Sequence, residues 1–179
     1  QGEGVHSGRR AVFVRFTGCN LWSGREEDRS EAVCQFCDTD FLGTDGHAGG
    51  RYETASMLVH QILETWGGAG AAPFVVFTGG EPLLQLDETL IATVKAQGME
   101  IAVESNGTLA APEGIDWLCI SPKAGSTLVQ TEGDELKLVW PQTLDPQTLL
   151  AFKFRHWRLQ PKDGPDYQIN LEKTVQYCL

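Results

Sequence analysis

Six short apolar runs punctuate the chain: AVFVRF (11–16), FVVFT (74–78), EIAVES (100–105), WLCIS (117–121), ELKLVW (135–140) and WRLQ (157–160). Their β-branched content and continuous hydrophobicity suit strands covered on both faces, as in a parallel sheet. Between the first two, Ala55, Leu58, Val59, Ile62, Leu63 and Trp66 follow one face at helical spacing, with Thr54 placed to cap the helix and Gly67 to end it. A second helix is predicted from Asp87 as N-cap, Leu90, Ile91 and Val94 facing inward and Gly98 as terminator, and a third from Asp145-Pro146. Strands alternating with helices imply right-handed βαβ units and the α/β class. Six strands fall short of a closed eight-stranded barrel, so the expected architecture is a partial, open β/α barrel of about six mainly parallel strands, in a single domain over residues 1–179.

Ligands of such sheets gather at the C-terminal ends of the strands. The polar signals sit there: RFTGCN after the first run, TGGEP after the second, ESNG after the third, SPK after the fourth and QPKDG after the sixth. The 179-residue length suits one core that buries roughly 70% of the unfolded surface. A net charge of −10 argues against a broad nucleic-acid-binding face and leaves room for a small ligand held by a few basic residues. No run of about 18 apolar residues is present to span a membrane, and no signal sequence opens the chain. Five cysteines, three clustered and two isolated, look like reduced thiols of a cytoplasmic protein and not a disulfide framework. Cys119, inside WLCIS, reads as core.

The clustered three, Cys19, Cys34 and Cys37, lie in CNLWSGREEDRSEAVCQFC. Thiolates select soft metals. A closed structural zinc site needs a fourth protein ligand; the nearest forward candidate is His47, in GTDGHAGG, where a solvated imidazole is the simpler reading. Chemistry alone leaves three readings: a four-iron cluster with one iron free of protein ligands, zinc, or unligated cysteines. Widening the first gap from three residues to the fourteen found here adds only about 1 kcal/mol of loop-closure entropy. Ser23 followed by Glu26 suggests a capping box, so part of the insert is expected to be a short helix whose charges face solvent.

With CQFC and TGGEP the chain resembles the radical S-adenosylmethionine superfamily, whose usual cysteine gaps are three and two residues. QGEG, RFTGCNLW, CDTDF, SPK and QPKDG narrow the resemblance to the 7-carboxy-7-deazaguanine synthases, some of which carry a widened cysteine loop. The resemblance implies a lyase of queuosine and 7-deazapurine biosynthesis, a tRNA-modification route. A [4Fe-4S] cluster on Cys19, Cys34 and Cys37 would chelate S-adenosylmethionine through its free iron. Cleavage of that cofactor would yield a radical that takes a hydrogen from C6 of 6-carboxy-5,6,7,8-tetrahydropterin, and rearrangement with loss of ammonia would give 7-carboxy-7-deazaguanine.

The same resemblance implies the site. Phe36, Cys37, Asp38 and Gly80 would contact S-adenosylmethionine, with Glu81 helping to receive its ammonium group. Ser121, Pro122, Lys123, Gln160, Pro161, Lys162 and Asp163 would line the adenosyl side, and Glu104 could bond a ribose hydroxyl. Gln1, Gly2, Glu3, Arg15 and Thr78 would bind the substrate, and Thr39 would ligate Mg²⁺. A flavodoxin-like electron donor and a homodimer are expected partners. A glycyl-radical activase and a non-catalytic zinc-binding domain are the alternatives. Family members also extend beyond both ends of this chain, so a preceding strand and a C-terminal segment closing the substrate pocket are expected to be missing here.

Overall fold

A computed structural model describes residues 4–68 and 70–179. Its frame is one six-stranded sheet in the order β1-β2-β3-β4-β5-β6, every neighbouring pair parallel. The strands are β1 (Val12–Phe16), β2 (Phe74–Gly79), β3 (Glu100–Ser105), β4 (Trp117–Ile120), β5 (Glu132–Trp140) and β6 (Lys153–Pro161). This is the expected open β/α architecture. With all strands parallel, their C-terminal ends share one rim.

Helices α1 (Ala55–Trp66), α2 (Glu88–Ala96) and α3 (Pro146–Leu149) provide three of the crossovers, and α4 (Tyr167–Cys178) follows β6. The caps of α1 form as the sequence predicts: the Thr54 side chain accepts from the Met57 N–H, and Gly67 ends the helix in the left-handed region at φ 73°. Asp87 caps α2 by accepting from Leu90 N–H. Val59, Ile62 and Trp66 of α1 and Leu90, Ile91 and Val94 of α2 close over Val75, Phe77, Ile101, Val103 and Ile120 on one face of the sheet. Leu63, expected on that face, is exposed because it lies at the border of the apolar stripe. A second cluster packs Leu149 of α3 on Leu136 and Leu138.

On the opposite face, Phe74, Val76 and Ala102 form an apolar patch with Trp117, against which the His6 ring packs. Further toward the rim this face turns polar, and the functional residues begin.

Besides β5, which starts three residues before ELKLVW, four elements depart from expectation. The edge strand β1 is not covered on both faces: Val12 is buried while Phe13 and Arg15 are exposed. Strand β6 starts four residues earlier than WRLQ suggests, because Lys153 and Arg155 alternate with Phe154 and His156 and hide an edge strand among charges. Helix α4 has no apolar periodicity, since its buried residues are Asn170 and Thr174. In the insert, a 3-10 helix spans Glu26–Glu31 with no side-chain cap. Ser23 bonds Asp28 Oδ2 at 2.6 Å instead of closing a box with Glu26.

Candidate active site

A cavity of about 710 Å³ opens over the C-terminal rim, within the size range of small-molecule sites. Cys19, Cys34 and Cys37 all line it. Cys19 follows β1, and the other two reach it on the far side of the insert. The backbone ties the two parts together, because Val33 and Cys34 N–H both donate to Leu21 C=O. Trp22, edge-on to Phe41 at 5.6 Å, and Phe41 itself are buried behind the loop and give it an apolar backing.

Cys34 and Cys37 interact as a pair, which lowers the Cys37 pKa to about 6 and raises that of Cys34. Burial raises Cys19. Of the three, Cys37 is therefore the thiol most inclined to ionise. Brief alkylation of metal-free protein at about pH 7 is expected to mark Cys37 before Cys19 or Cys34, as read by peptide mass spectrometry, and its rate should fall as pH drops through about 6. Equal labelling of all three would show that the sulfur pair does not form.

TGGEP supports the loop from beneath. Gly80 N–H donates to Phe16 C=O at 3.2 Å and Glu81 N–H to Gly18 C=O at 2.9 Å. A Cβ on Gly80 would lie 2.0 Å from the Gly18 oxygen and 2.9 Å from Cys19 Cβ, so only glycine allows the two turns to meet. Glu81 does not reach the cavity. Its fully buried carboxylate accepts from Leu83 N–H (3.0 Å), Ser105 Oγ (2.8 Å) and Asn106 N–H (2.8 Å), which fastens the ends of β2 and β3 together. Desolvation raises its pKa against these bonds. These bonds engage both carboxylate oxygens of the residue expected to receive an ammonium group. Asn106 also donates to Asn20 at 3.0 Å, a second tie to the cysteine loop.

The opposite wall is built from the later strands. Lys123 Nζ donates to Ser121 C=O (2.7 Å) and Oγ (2.8 Å), and burial lowers its pKa. Ser121, Lys123, Gln160, Pro161, Lys162 and Asp163 line the cavity. Pro122 is buried outside the lining, with its carbonyl accepting from Gln142 Nε2. Asn170 of α4 donates to Lys162 C=O at 2.9 Å, so this helix holds the QPKDG loop. Phe36, Asp38, Thr39, Thr78, Gly80 and Glu104 complete the lining expected from the sequence. Thr78 Oγ1 donates to Glu104 Oε2 at 3.2 Å. Arg15 is exposed on β1 in register with Thr78, outside the cavity lining. Gln1, Gly2 and Glu3 lie outside the described residues.

No family model matches the chain. Individual relatives do. A protein of Bradyrhizobium diazoefficiens named 7-carboxy-7-deazaguanine synthase is 56% identical over all of this chain and 86% of its own length. Its Caulobacter vibrioides namesake is 55% identical over the same shares. The chain belongs to the 7-carboxy-7-deazaguanine synthase family. The crystal structure of QueE from Escherichia coli superposes with a TM-score of 0.71 at 23% identity, covering 99% of this chain and 84% of that one, and shows the same fold.

Membership in the synthase family makes this chain a radical S-adenosylmethionine enzyme with a [4Fe-4S] cluster, and sets aside the activase and zinc-domain readings. The donors fit. Three cysteine sulfurs line one cavity, which suits a cluster that takes three thiolates from the protein and leaves one iron free. His47 does not line the cavity.

Two features of the synthase site escaped the sequence reading. Lys137 and Val139 of β5 line the cavity, with Lys137 Nζ 3.6 Å from Glu104 Oε1. Their signal was the alternation in GDELKLVW, where acid and lysine face the cavity side while the leucines face the core. Arg29 of the insert also lines the cavity, although its run of charges reads as a solvated face.

Proposed function

We propose that this chain converts 6-carboxy-5,6,7,8-tetrahydropterin to 7-carboxy-7-deazaguanine with loss of ammonia, in the cytoplasm, as a step toward queuosine and other 7-deazapurines. The observation that carries this reading is that the three cysteines and the TGGEP, SPK and QPKDG segments meet around one cavity in a chain of this family. When bound, the cluster and S-adenosylmethionine supply the one-electron chemistry that removes a hydrogen from the substrate.

The chain's own residues hold and orient. Cys19, Cys34 and Cys37 would hold three irons. The bare backbone at Gly80 gives close access to the methionyl part of the cofactor, beside Phe36 and Asp38. The adenosyl end would meet Ser121, Lys123 and the Gln160–Asp163 loop, with Glu104 near the ribose. Arg15, in register with Thr78, suits the substrate carboxylate because a guanidinium can take it with two parallel bonds. Gln1, Gly2 and Glu3 would complete the substrate contacts.

Thr39, whose hydroxyl lies 3.4 Å from Asp38 Oδ1, would offer Mg²⁺ an oxygen ligand, leaving substrate oxygens and water to fill the remaining positions. Phe36, Phe41 and Val139 give the cavity apolar walls that limit water near the reacting atoms. A flavodoxin-like protein would supply electrons, and two copies would form a homodimer. Among the described residues no helix is long and apolar enough to cross a membrane.

The test is an anaerobic assay with S-adenosylmethionine, a chemical reductant, Mg²⁺ and the carboxytetrahydropterin, read by mass spectrometry. The deazaguanine acid is the expected product. Reductive cleavage of the cofactor with the pterin left intact would overturn the proposed substrate, and a rate indifferent to Mg²⁺ would remove Thr39 from the metal role.

A further inference from the structure

The insert between Cys19 and Cys34 carries an arginine that does not behave like a surface charge. Arg29 Nη1 donates to two backbone carbonyls of the second cysteine segment, those of Gln35 at 2.9 Å and Cys37 at 3.0 Å. Its other edge is occupied by Glu26, which accepts from Nε at 2.7 Å and from Nη2. The guanidinium carbon lies over the Trp22 ring, 4.0 Å from the centroid. Trp22 is itself fixed: it is buried, packs edge-on against Phe41, and donates its indole N–H to Arg25 C=O at 3.1 Å.

These contacts join the two halves of the cysteine set. Trp22 stands three residues after Cys19, and Gln35 and Cys37 belong to the Cys34–Cys37 turn. One rigid, planar group touches both. Two carbonyls that converge on a single Nη1 cannot rotate independently, so the direction in which the Cys34–Cys37 turn presents its sulfurs is coupled to the Arg29 fork. Lysine would supply the charge without the planar fork.

We infer that Arg29 is a positioning residue for the iron–sulfur cluster, in which its guanidinium holds the Cys34–Cys37 turn against the Cys19 segment across the fourteen-residue gap. It does for the widened loop what short spacing achieves by chain connectivity alone. The inference rests on Cys19, Cys34 and Cys37 being the cluster ligands, and the two can fail separately.

The test compares wild-type protein, Arg29→Ala, Arg29→Lys and Glu27→Ala after anaerobic reconstitution with iron and sulfide. Glu27 is the control, since its pair with Arg25 is exposed and long at 3.7 Å. Iron release to a chelator is followed by absorbance, alongside thermal melts of the metal-free proteins. Arg29→Ala is expected to release iron about tenfold faster than wild type, Arg29→Lys by an intermediate factor, and Glu27→Ala at the wild-type rate. Release from Arg29→Ala within twofold of wild type would overturn the inference, as would equal acceleration in Glu27→Ala. Should Arg29→Ala fail to fold, Arg29→Lys decides: faster release supports the role and unchanged release overturns it. A wild-type protein that takes up no cluster would instead sink the ligand assignment.

Discussion

Cys19→Ala is expected to abolish formation of the deazaguanine acid, a loss of at least ~1,000-fold, or about 4 kcal/mol of transition-state stabilisation. The reason is the division of the ligand set. Cys34 and Cys37 come from one tight turn, while Cys19 alone represents the segment after β1. Removing it leaves a four-iron cluster tethered on one side. Anaerobic reconstitution should then give protein with little bound iron and none of the thiolate-to-iron absorption that bleaches on reduction. The metal-free fold should survive, because the thiol's backbone contacts are weak sulfur hydrogen bonds, from Leu21 N–H at 3.4 Å and from Trp22 N–H. Full iron content with wild-type turnover in this variant would mean that another group completes the set.

Gly80→Ala is expected to damage cofactor binding and stability together. The added methyl would meet backbone, the Gly18 oxygen at 2.0 Å and carbon at 2.6 Å, and no side-chain rotation can relieve that. Either the TGGEP turn or the Gly18–Cys19 segment has to move. Overpacking of this kind costs about 1–3 kcal/mol. The displaced turn is also the surface offered to the methionyl group, so the dissociation constant of S-adenosylmethionine should rise by roughly 10-fold to 100-fold, about 1.4 to 2.7 kcal/mol. Equilibrium dialysis on reconstituted protein and thermal melts of the metal-free form read the two effects. An unchanged dissociation constant and melting temperature would show that the turns have slack the geometry does not reveal.

The parts of this molecule legible in its sequence are those governed by local chemistry. Thr54 and Gly67 bound α1 because capping is decided within a few residues. FVVFT reads as a strand because both its faces are buried. The segments around the cavity could be placed on one rim because parallel strands end on the same side. What escaped was decided by polar partners that only the folded path of the chain brings together. Helix α4 buries Asn170 and Thr174, the first bonded to Lys162 C=O and the second to the Asn170 C=O of its own helix, so there is no apolar period to read. Glu81 resembles a ligand-binding acid until Ser105 and Asn106, on the next strand's end, are seen to consume its oxygens. Arg29 sits among charges that do face solvent, and only the return of the chain at Gln35 and Cys37 distinguishes it.

The bond from Glu81 N–H to Gly18 C=O also sets an order of events during biosynthesis. All three cysteines emerge from the ribosome well before Glu81, at roughly 5–20 residues per second. Until β2 has been made and paired with β1, the segment carrying Cys19 lacks the turn that backs it. A nascent chain therefore exposes its thiols for some seconds before the cradle exists. Iron delivered after β2 has docked would find the cradle formed, whereas oxidants reaching the nascent chain earlier would find three accessible sulfurs that the TGGEP turn does not yet back.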